Sequence, residues 1–459
     1  MSAAFEGLDV AVIGGGISGL AAAHALRKAG RNVVVLEARS RFGGVVGSVR
    51  TQTYVADAGP QSFTAAPAWL DLVRDLGLES QIVEASDAGA KRYIYRNGAL
   101  IAVPMSPAAF ITSSLLSAGA KWRLLAEPFT APRAEQSDES VASFVERRAG
   151  PEVLHTVAAP VMSGIYAGDP AQLSARSTMP ALVDFERNSG SVLRGFLARR
   201  ASAKADGAAD FSRPRSLISF TDGNAALISA LAKDLQGRVY ANARVRKLRQ
   251  QGAGFALECE GLPEGTIEAA RVIVATPADS AADLLELLEP VAAAALRMIE
   301  YAPVAQVALA YPRAAIGASL DGFGFLTCRD EGVRILGAVW NSNIFAGRAP
   351  DGELLCTAFL GGATDRAISE LDDEQLARVA HADLSRSMRI APVKPTVVSG
   401  FRWERAIPQY TVGHEERLAA IESAVDRIPG LRITGNYLRG VSVTDCIRRA
   451  NEVAATLFP

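Results

Sequence analysis

The chain is poor in the residues that build metal and disulfide sites. Its 459 residues hold four cysteines and four histidines. Cys259, Cys328, Cys356 and Cys446 stand far apart with no CxxC pair, which argues against a disulfide framework and a zinc site. His24, His155, His381 and His414 are equally scattered and receive no chemistry. Neither sign of charge is in surplus: 48 Lys and Arg against 49 Asp and Glu leave a formal net charge of −1, so nothing gathers DNA or RNA and no nucleic-acid partner is expected. No stretch approaches the roughly 18 uninterrupted apolar residues of a spanning helix. The longest candidate, 290–298, is short and alanine-rich. The first residues lack a basic segment followed by an apolar one, so no secretion signal is expected. The compartment expected is the cytoplasm, with peripheral contact at the inner face of the cell membrane left open. The length asks for two or three domains.

What is present begins with a βαβ pattern. Asp9-Val-Ala-Val-Ile13 reads as a buried parallel strand, residues 17–29 as a helix with small residues toward the sheet, and 32–37 as a second strand. Between the first strand and the helix lies Gly14-Gly15-Gly16-Ile17-Ser18-Gly19. Gly14 permits the tight turn, Gly16 lets the backbone approach a pyrophosphate, and Gly19 allows close helix–strand packing. The helix N-terminus presents free N–H groups and a positive dipole end to the phosphates. Glu37 ends the second strand 18 residues after Gly19, where its carboxylate can accept from ribose hydroxyls. Ala38 follows it. Arg39-Ser-Arg41-Phe-Gly43-Gly44 then resembles the extended dinucleotide signature of the glutathione-reductase and amine-oxidase flavoproteins, which implies FAD rather than NAD. Arg41 could meet phosphate charge or be a plain surface arginine.

Further along, a helix at 66–76 precedes a hairpin, 92–95 turning at Asn97-Gly98 into 100–103. Residues 106–185 are helical in pattern. Apolar periodicity fades over 186–215, where Arg199, Arg200, Lys204, Arg213 and Arg215 accumulate. That reads as a surface loop, with anionic-lipid contact as the sharper alternative. Strands return at 238–248, 255–258 and 271–275, then over 304–359. A helix at 372–387, a last strand at 431–434 and a helix from about Thr444 close the chain.

Four segments carry a more specific signal: Lys91-Arg92-Tyr-Ile-Tyr95, Ser163-Gly164-Ile-Tyr-Ala-Gly168-Asp-Pro170, Trp403-Glu-Arg-Ala-Ile-Pro-Gln-Tyr410, and Gly435-Asn-Tyr-Leu-Arg-Gly-Val441-Ser442-Val443. Through them the chain resembles, end to end, the bacterial type of oxygen-dependent protoporphyrinogen oxidase within the flavin amine-oxidase superfamily. The resemblance implies an α/β fold: an FAD-binding Rossmann-like domain of the glutathione-reductase and amine-oxidase type, a mixed-sheet substrate domain, and a helical membrane-binding insertion. The division implied is FAD-binding at 1–90, 216–296 and 416–459, substrate-binding at 91–105 and 297–415, and helical membrane-binding and gating at 106–215.

The activity implied is FAD-dependent six-electron oxidation of a porphyrinogen by O2 in heme or tetrapyrrole synthesis. Such a substrate is a flexible, mostly apolar macrocycle with propionates at one edge, so its pocket should be apolar with few cations at the rim. Positioning should dominate, with pyrrole protons released to water or a nearby acceptor. By resemblance Arg92 anchors a propionate; a structural ion pair is the plainer reading. Leu326, Val339 and Phe359 match residues that sandwich pyrrole rings and would otherwise read as core strand residues. Val339 stands where leucine is common. Gly164 and Gly168 match the loop that closes over the site.

For the flavin, the resemblance carries over Gly59, Pro60, Gln61, Ser62, the backbone of Val245 beside adenine, Trp403, and the turn Val441, Ser442, Val443. Gln61 stands where asparagine often occurs. Trp403 could equally be packing. The turn 441–443 enters a helix whose N–H groups could stabilise negative charge at the flavin N1–C2=O edge.

The rivals are a coproporphyrinogen III oxidase of the same fold, with more pocket cations, an amine oxidase, and a catalytically silent FAD-binding protein. The residues 107–116 offer an apolar face that either meets lipid or is buried. Hand-off of the product to a ferrochelatase and a homodimer are further partners the resemblance admits.

Overall fold

A computed structural model describes residues 5–133, 137–205 and 217–458. Two sheets dominate it. A five-stranded parallel sheet has the order Val239–Tyr240, Val33–Leu36, Val10–Ile13, Arg271–Val274, Leu431–Ile433. Its strands are short and wholly apolar at the centre because both faces are covered. Val10, Val12, Val33, Val35 and Ile273 face the helices Ile17–Lys28, Ala225–Asp234 and Val443–Leu457. Their neighbours Ala11, Ile13, Val34, Leu36, Val272 and Val274 face the helices Ala278–Leu285, Pro290–Arg297 and His414–Asp426. A three-stranded antiparallel meander, Arg244–Gln251, Gly254–Glu260 and Thr266–Ala269, packs at one side. The apolar strand at 271–275 thus returns to the nucleotide-binding sheet, as its composition suggests.

The second sheet is mixed and seven-stranded, in the order Thr396–Pro408, Tyr301–Pro312, Glu353–Gly361, Ile335–Val339, Gly324–Thr327, Tyr93–Arg96, Ala99–Ala102. Only Gly324–Thr327 and Tyr93–Arg96 pair in parallel. The final two strands form the expected hairpin, with Asn97 at φ +52° and Gly98 at φ +72° as a type I′ turn requires. One sheet face is sealed by the helix Asp373–Met388, whose Leu376, Ala380, Leu384 and Met388 pack on Val307, Phe325, Ala338 and Ala358. That helix starts with a capping box between Asp372 and Gln375.

Residues 106–205 are helical, and one expectation fails there. The supposed surface loop at 186–215 contains the end of the helix Pro180–Ser189 and a further helix, Val192–Ala205, packed on it. Its apolar and basic residues do not segregate, so the sequence carries no 3.6-residue stripe to read. Arg199 and Arg200 lie on that helix, whereas Arg213 and Arg215 fall outside the described residues. Among the described residues no helix is long and apolar enough to cross a membrane. All four cysteines are free and buried.

Candidate functional site

At the Gly-rich turn, two glycines are required by the protein itself. Gly14 has φ +111°, and a Cβ on it would stand 2.6 Å from the Ala275 carbonyl oxygen; a Cβ on Gly19 would stand 1.9 Å from that of Gly14. Gly16 differs. Nothing lies within 4 Å of where its Cβ would be. The helix beginning at Ile17 has no side-chain cap, so its first N–H groups open onto that space. Ile17 and Ser18 are buried in the first turn. An open cradle under an uncapped helix N-terminus fits a pyrophosphate.

Glu37 closes this turn from the side. Its two carboxylate oxygens accept from Gly15 N at 2.7 Å and Arg39 N at 2.8 Å, with lone pairs left for hydroxyls. The segment carrying Val245 follows directly, since Asn242 N donates to Arg39 O and Ala243 N to Glu37 O. The turn that leads into the strand of Val245 is therefore bonded to the backbone on both sides of Ala38. The second glycine pair meets the first: Gly43 N donates to Gly15 O at 2.8 Å, and a Cβ on Gly44 would lie 3.5 Å from Gly16 Cα. Arg41 donates to Gly44 O at 2.7 Å, which braces this turn.

The segment 57–62 is pinned from several directions. Asp57 and Arg348 form a buried ion pair at 2.9 Å, and Asp57 also accepts from Ser48 Oγ and Asn224 N. Asn224 Nδ2 donates to Pro60 O at 2.8 Å. Gln61 is buried, its Nε2 donating to Asp57 O and its Oε1 accepting from Asn341 at 2.6 Å, while Thr357 donates to Asn341. The Gln61 side chain thus braces the loop. Gly59 is held by both ends of the Gln306 amide. Ser62 follows, half-buried.

The sequence reading missed Gln306, Asn341 and the Asp57–Arg348 pair. A glutamine inside the apolar run of Tyr301–Pro312 was the available signal, because a buried amide must be hydrogen-bonded.

The three residues assigned to the macrocycle come together on one sheet face. A row of register partners runs Ile94, Leu326, Gly337, Phe359, Gln306, Phe401. Val339 lies two residues from Gly337 on the same face. Leu326, Val339, Phe359, Phe401 and Trp403 are half-buried, in contrast to the sealed opposite face. Trp403 stacks on Phe401, with ring centroids 5.5 Å apart. At one margin Arg92 sits with its guanidinium 5.4 Å from the Phe323 ring centroid, in reach of the Ala90 carbonyl, and it forms no ion pair among the described residues. Its neighbours differ: Lys91 is paired with Asp321 and Arg96 with Glu152.

One of the two assigned glycines covers this face. Gly164, in the helix Ala159–Tyr166, packs directly on Leu326. A π-helical stretch, Leu154–Ala158, precedes it. Gly168 follows a turn in which Ala167 has φ +47°; a Cβ on Gly168 would stand 2.6 Å from Leu173 Cδ1 and 2.8 Å from Gln409 Oε1. Gln409 Nε2 donates to Tyr166 O at 2.8 Å, Tyr166 packs on Tyr410, and the Tyr410 hydroxyl donates to Asn436 O. The three C-terminal signature segments are thereby joined to one another. Val441 packs into the same cluster, and Ser442 caps the helix Val443–Leu457 by accepting from Asp445 N at 3.1 Å.

Three of the four histidines make structural contacts. His24 meets Asp234 at 2.8 Å, His381 meets Tyr311, and His414 lies under Tyr410. His155 is exposed. No cluster of metal-ligating residues occurs among the described residues.

The family described as flavin containing amine oxidoreductase matches residues 17–457. Protoporphyrinogen oxidase 1, chloroplastic, of Spinacia oleracea is 33% identical over 470 residues, covering 98% of this chain and 84% of the relative. Coproporphyrinogen III oxidase of Bacillus subtilis (strain 168) is 31% identical, covering 95% of each. Among solved structures, a protein of Exiguobacterium sp. 255-15 provisionally named a protoporphyrinogen oxidase matches with a TM-score of 0.82 at 23% identity, over 98% of both chains. Cyclohexylamine oxidase from Brevibacterium oxydans IH-35A matches at 0.71 and 17% identity, also over 98% of both. At these identities the structural likeness speaks for the fold alone.

Proposed function

Since the chain belongs to the flavin containing amine oxidoreductase family, in the branch of the protoporphyrinogen and coproporphyrinogen III oxidases, and is an FAD-binding oxidoreductase, we propose that it oxidises protoporphyrinogen IX to protoporphyrin IX. The acceptor is O2 and the product H2O2: three two-electron steps consume three O2. The observation that carries the substrate is the half-buried apolar face of Leu326, Val339 and Phe359, bordered by Arg92, which forms no ion pair among the described residues.

Bound FAD supplies the two-electron acceptor for hydride leaving a methylene bridge. The chain's own residues bind and orient. Gly16 and the helix start at Ile17 hold pyrophosphate, and Glu37 holds ribose. Leu326, Val339 and Phe359 flank the macrocycle and exclude water, while the planar fork of Arg92 grips a propionate. The helix start at Ser442 and Val443 directs N–H groups toward negative charge that develops on reduction. No side chain is required as a strong base, because pyrrole N–H protons can leave to water.

The assigned division is part of this proposal. The parallel sheet draws its strands from 10–36, 239–274 and 431–433, the mixed sheet from 93–102, 301–361 and 396–408. Peripheral membrane contact belongs to it too, supported by Ile111, Trp122 and Phe129 on the helical segment and by Met105 just before it, each 71–85% exposed. Leu115 does not contribute: it is buried with Ile94 and Cys328. An apolar product leaving there would pass to a metal chelatase.

Steady-state oxidation of protoporphyrinogen IX and coproporphyrinogen III, followed by porphyrin fluorescence, tests the substrate. The two-propionate porphyrinogen is expected to be preferred, since Lys91 and Arg96 beside Arg92 are already paired. Preference for the four-carboxylate substrate overturns the assignment.

A further inference from the structure

The side chain of Gln306 joins the two halves of the site. It lies in the slot-facing row, with Phe359 and Phe401 as its register partners. It is 5% exposed in a strand of apolar neighbours. Its Oε1 accepts from Gly59 N at 2.8 Å and its Nε2 donates to Gly59 O at 2.7 Å, so one amide grips both polar groups of one residue. Gly59 has no slack on its other side. Its φ is +81°, and a Cβ there would stand 2.2 Å from Val45 O, directly after the second glycine pair. A continuous chain of contacts therefore runs from Phe359 through Gln306 and Gly59 to the turn at Gly43 and Gly44.

We infer that Gln306 is a positioning residue that sets the separation between the flavin and the oxidisable carbon of the substrate, by locking Gly59 to the sheet that carries the slot. The inference rests on the reading of that slot as the porphyrinogen site. Other bonds hold the rest of the loop: Asp57 to Arg348, Pro60 to Asn224, Gln61 to Asn341. Loss of the amide consequently frees Gly59 locally while those anchors keep the fold. FAD stays bound through the cradle at Gly16, and porphyrinogen through Arg92 and the apolar face. What changes is their mutual placement, to which rate is steeply sensitive.

The test compares FAD-loaded wild type, Gln306→Leu and Gln306→Glu. In Gln306→Leu, FAD content and KM are expected within about twofold of wild type. The visible flavin band is displaced, and anaerobic bleaching by protoporphyrinogen is slowed roughly tenfold to a hundredfold. Gln306→Glu keeps the acceptor for Gly59 N–H but sets a second acceptor against its carbonyl, so its flavin band and bleaching rate are expected to depart from wild type at least as far as those of Gln306→Leu. A Leu variant with the wild-type spectrum and bleaching rate overturns the inference, as does one whose only defect is lost FAD with normal turnover of the loaded fraction. If the Leu variant does not fold, the same two readouts on Gln306→Glu decide. If porphyrinogens fail to bleach wild type, the substrate reading falls, while an undisplaced flavin band in the variants would independently overturn the role of Gln306.

Discussion

Gly164 lies against Leu326 so closely that a Cβ on the glycine would stand 2.5 Å from Leu326 Cδ2. The helix Ala159–Tyr166 is thereby laid directly on the slot face. Alanine at this position would gain about 1 kcal/mol of helix propensity and lose about 1–3 kcal/mol to overpacking, so stability should fall by about 0–2 kcal/mol and the fold should persist. Leu326 must give way instead. For Gly164→Ala we expect KM for protoporphyrinogen to rise roughly threefold to tenfold with FAD content unchanged, equivalent to about 0.7–1.4 kcal/mol. An unaltered KM would show that Leu326 does not touch substrate.

The glycines of the first turn separate folding from cofactor binding. Gly16→Ala meets no protein atom and should fold normally, with wild-type far-ultraviolet circular dichroism, but it should purify colourless because the methyl group occupies the pyrophosphate cradle. Gly14→Ala meets Ala275 at φ +111° and should lose fold and flavin together. A yellow Gly16→Ala protein would place the pyrophosphate elsewhere.

Arg92→Lys keeps the charge and loses the fork. We expect at least about a tenfold rise in KM for either substitution, Arg92→Lys or Arg92→Ala, and a normal flavin spectrum. Equal kinetics for Arg92→Lys and wild type would mean that bidentate anchoring is absent.

His414 gives the fold an acid-sensitive point. It is fully buried, stacks on Tyr410 at 4.2 Å and lies 3.1 Å from Leu438 O, which places the proton on Nε2 and leaves Nδ1 bare. Burial pushes its pKa down to about 4 from 6.5. The folded state thus prefers the neutral ring. Its contribution is complete above pH 6.5 and is lost as pH falls through 6.5 toward 4, about 3 kcal/mol in all. Urea unfolding of wild type between pH 7.5 and 4.5 should show this decline, and His414→Phe should flatten it. An equally steep decline in the variant would assign the acid sensitivity to other groups.

The exposed apolar residues of the helical segment predict its surface behaviour. A triple substitution of Ile111, Trp122 and Phe129 by serine should lower vesicle flotation severalfold with turnover in detergent unchanged, because each is more than two-thirds exposed. Leu115→Ser should instead destabilise by about 2–4 kcal/mol through its buried contact with Ile94. Unchanged flotation of the triple variant would remove this face as a membrane contact.

Local features were readable in the residues, and long-range pairings were not. The turn at Gly14 to Gly19, the Asn97-Gly98 hairpin and the returning strand at 271–274 each follow from a few neighbouring residues whose backbone demands are strict. The row from Leu326 to Phe401 joins strands far apart in the chain, and no local pattern sets its register. Leu326, Val339 and Phe359 were therefore visible only through resemblance. The helix Val192–Ala205 was hidden because its apolar residues form no stripe, and the sequence left the face 107–116 open between lipid and core because burial of Leu115 depends on Ile94, on the strand Tyr93–Arg96. Gln306 was legible in principle, because a lone amide among apolar residues marks a buried tie.

The strand Val10–Ile13 lies between Val33–Leu36 and Arg271–Val274, and the sheet ends with Leu431–Ile433. About 420 residues separate the first strand from the last. At about 5–20 residues per second, synthesis of that interval takes roughly 20–80 s. During that time the growing sheet keeps an open edge, first on Val10–Ile13 and, once Arg271–Val274 has paired with it, on that second strand, the kind of surface that pairs with foreign strands. FAD cannot supply the missing neighbour. The nascent chain should depend on chaperones until its last 30 residues emerge, and truncations before Leu431 should aggregate rather than yield a smaller flavoprotein.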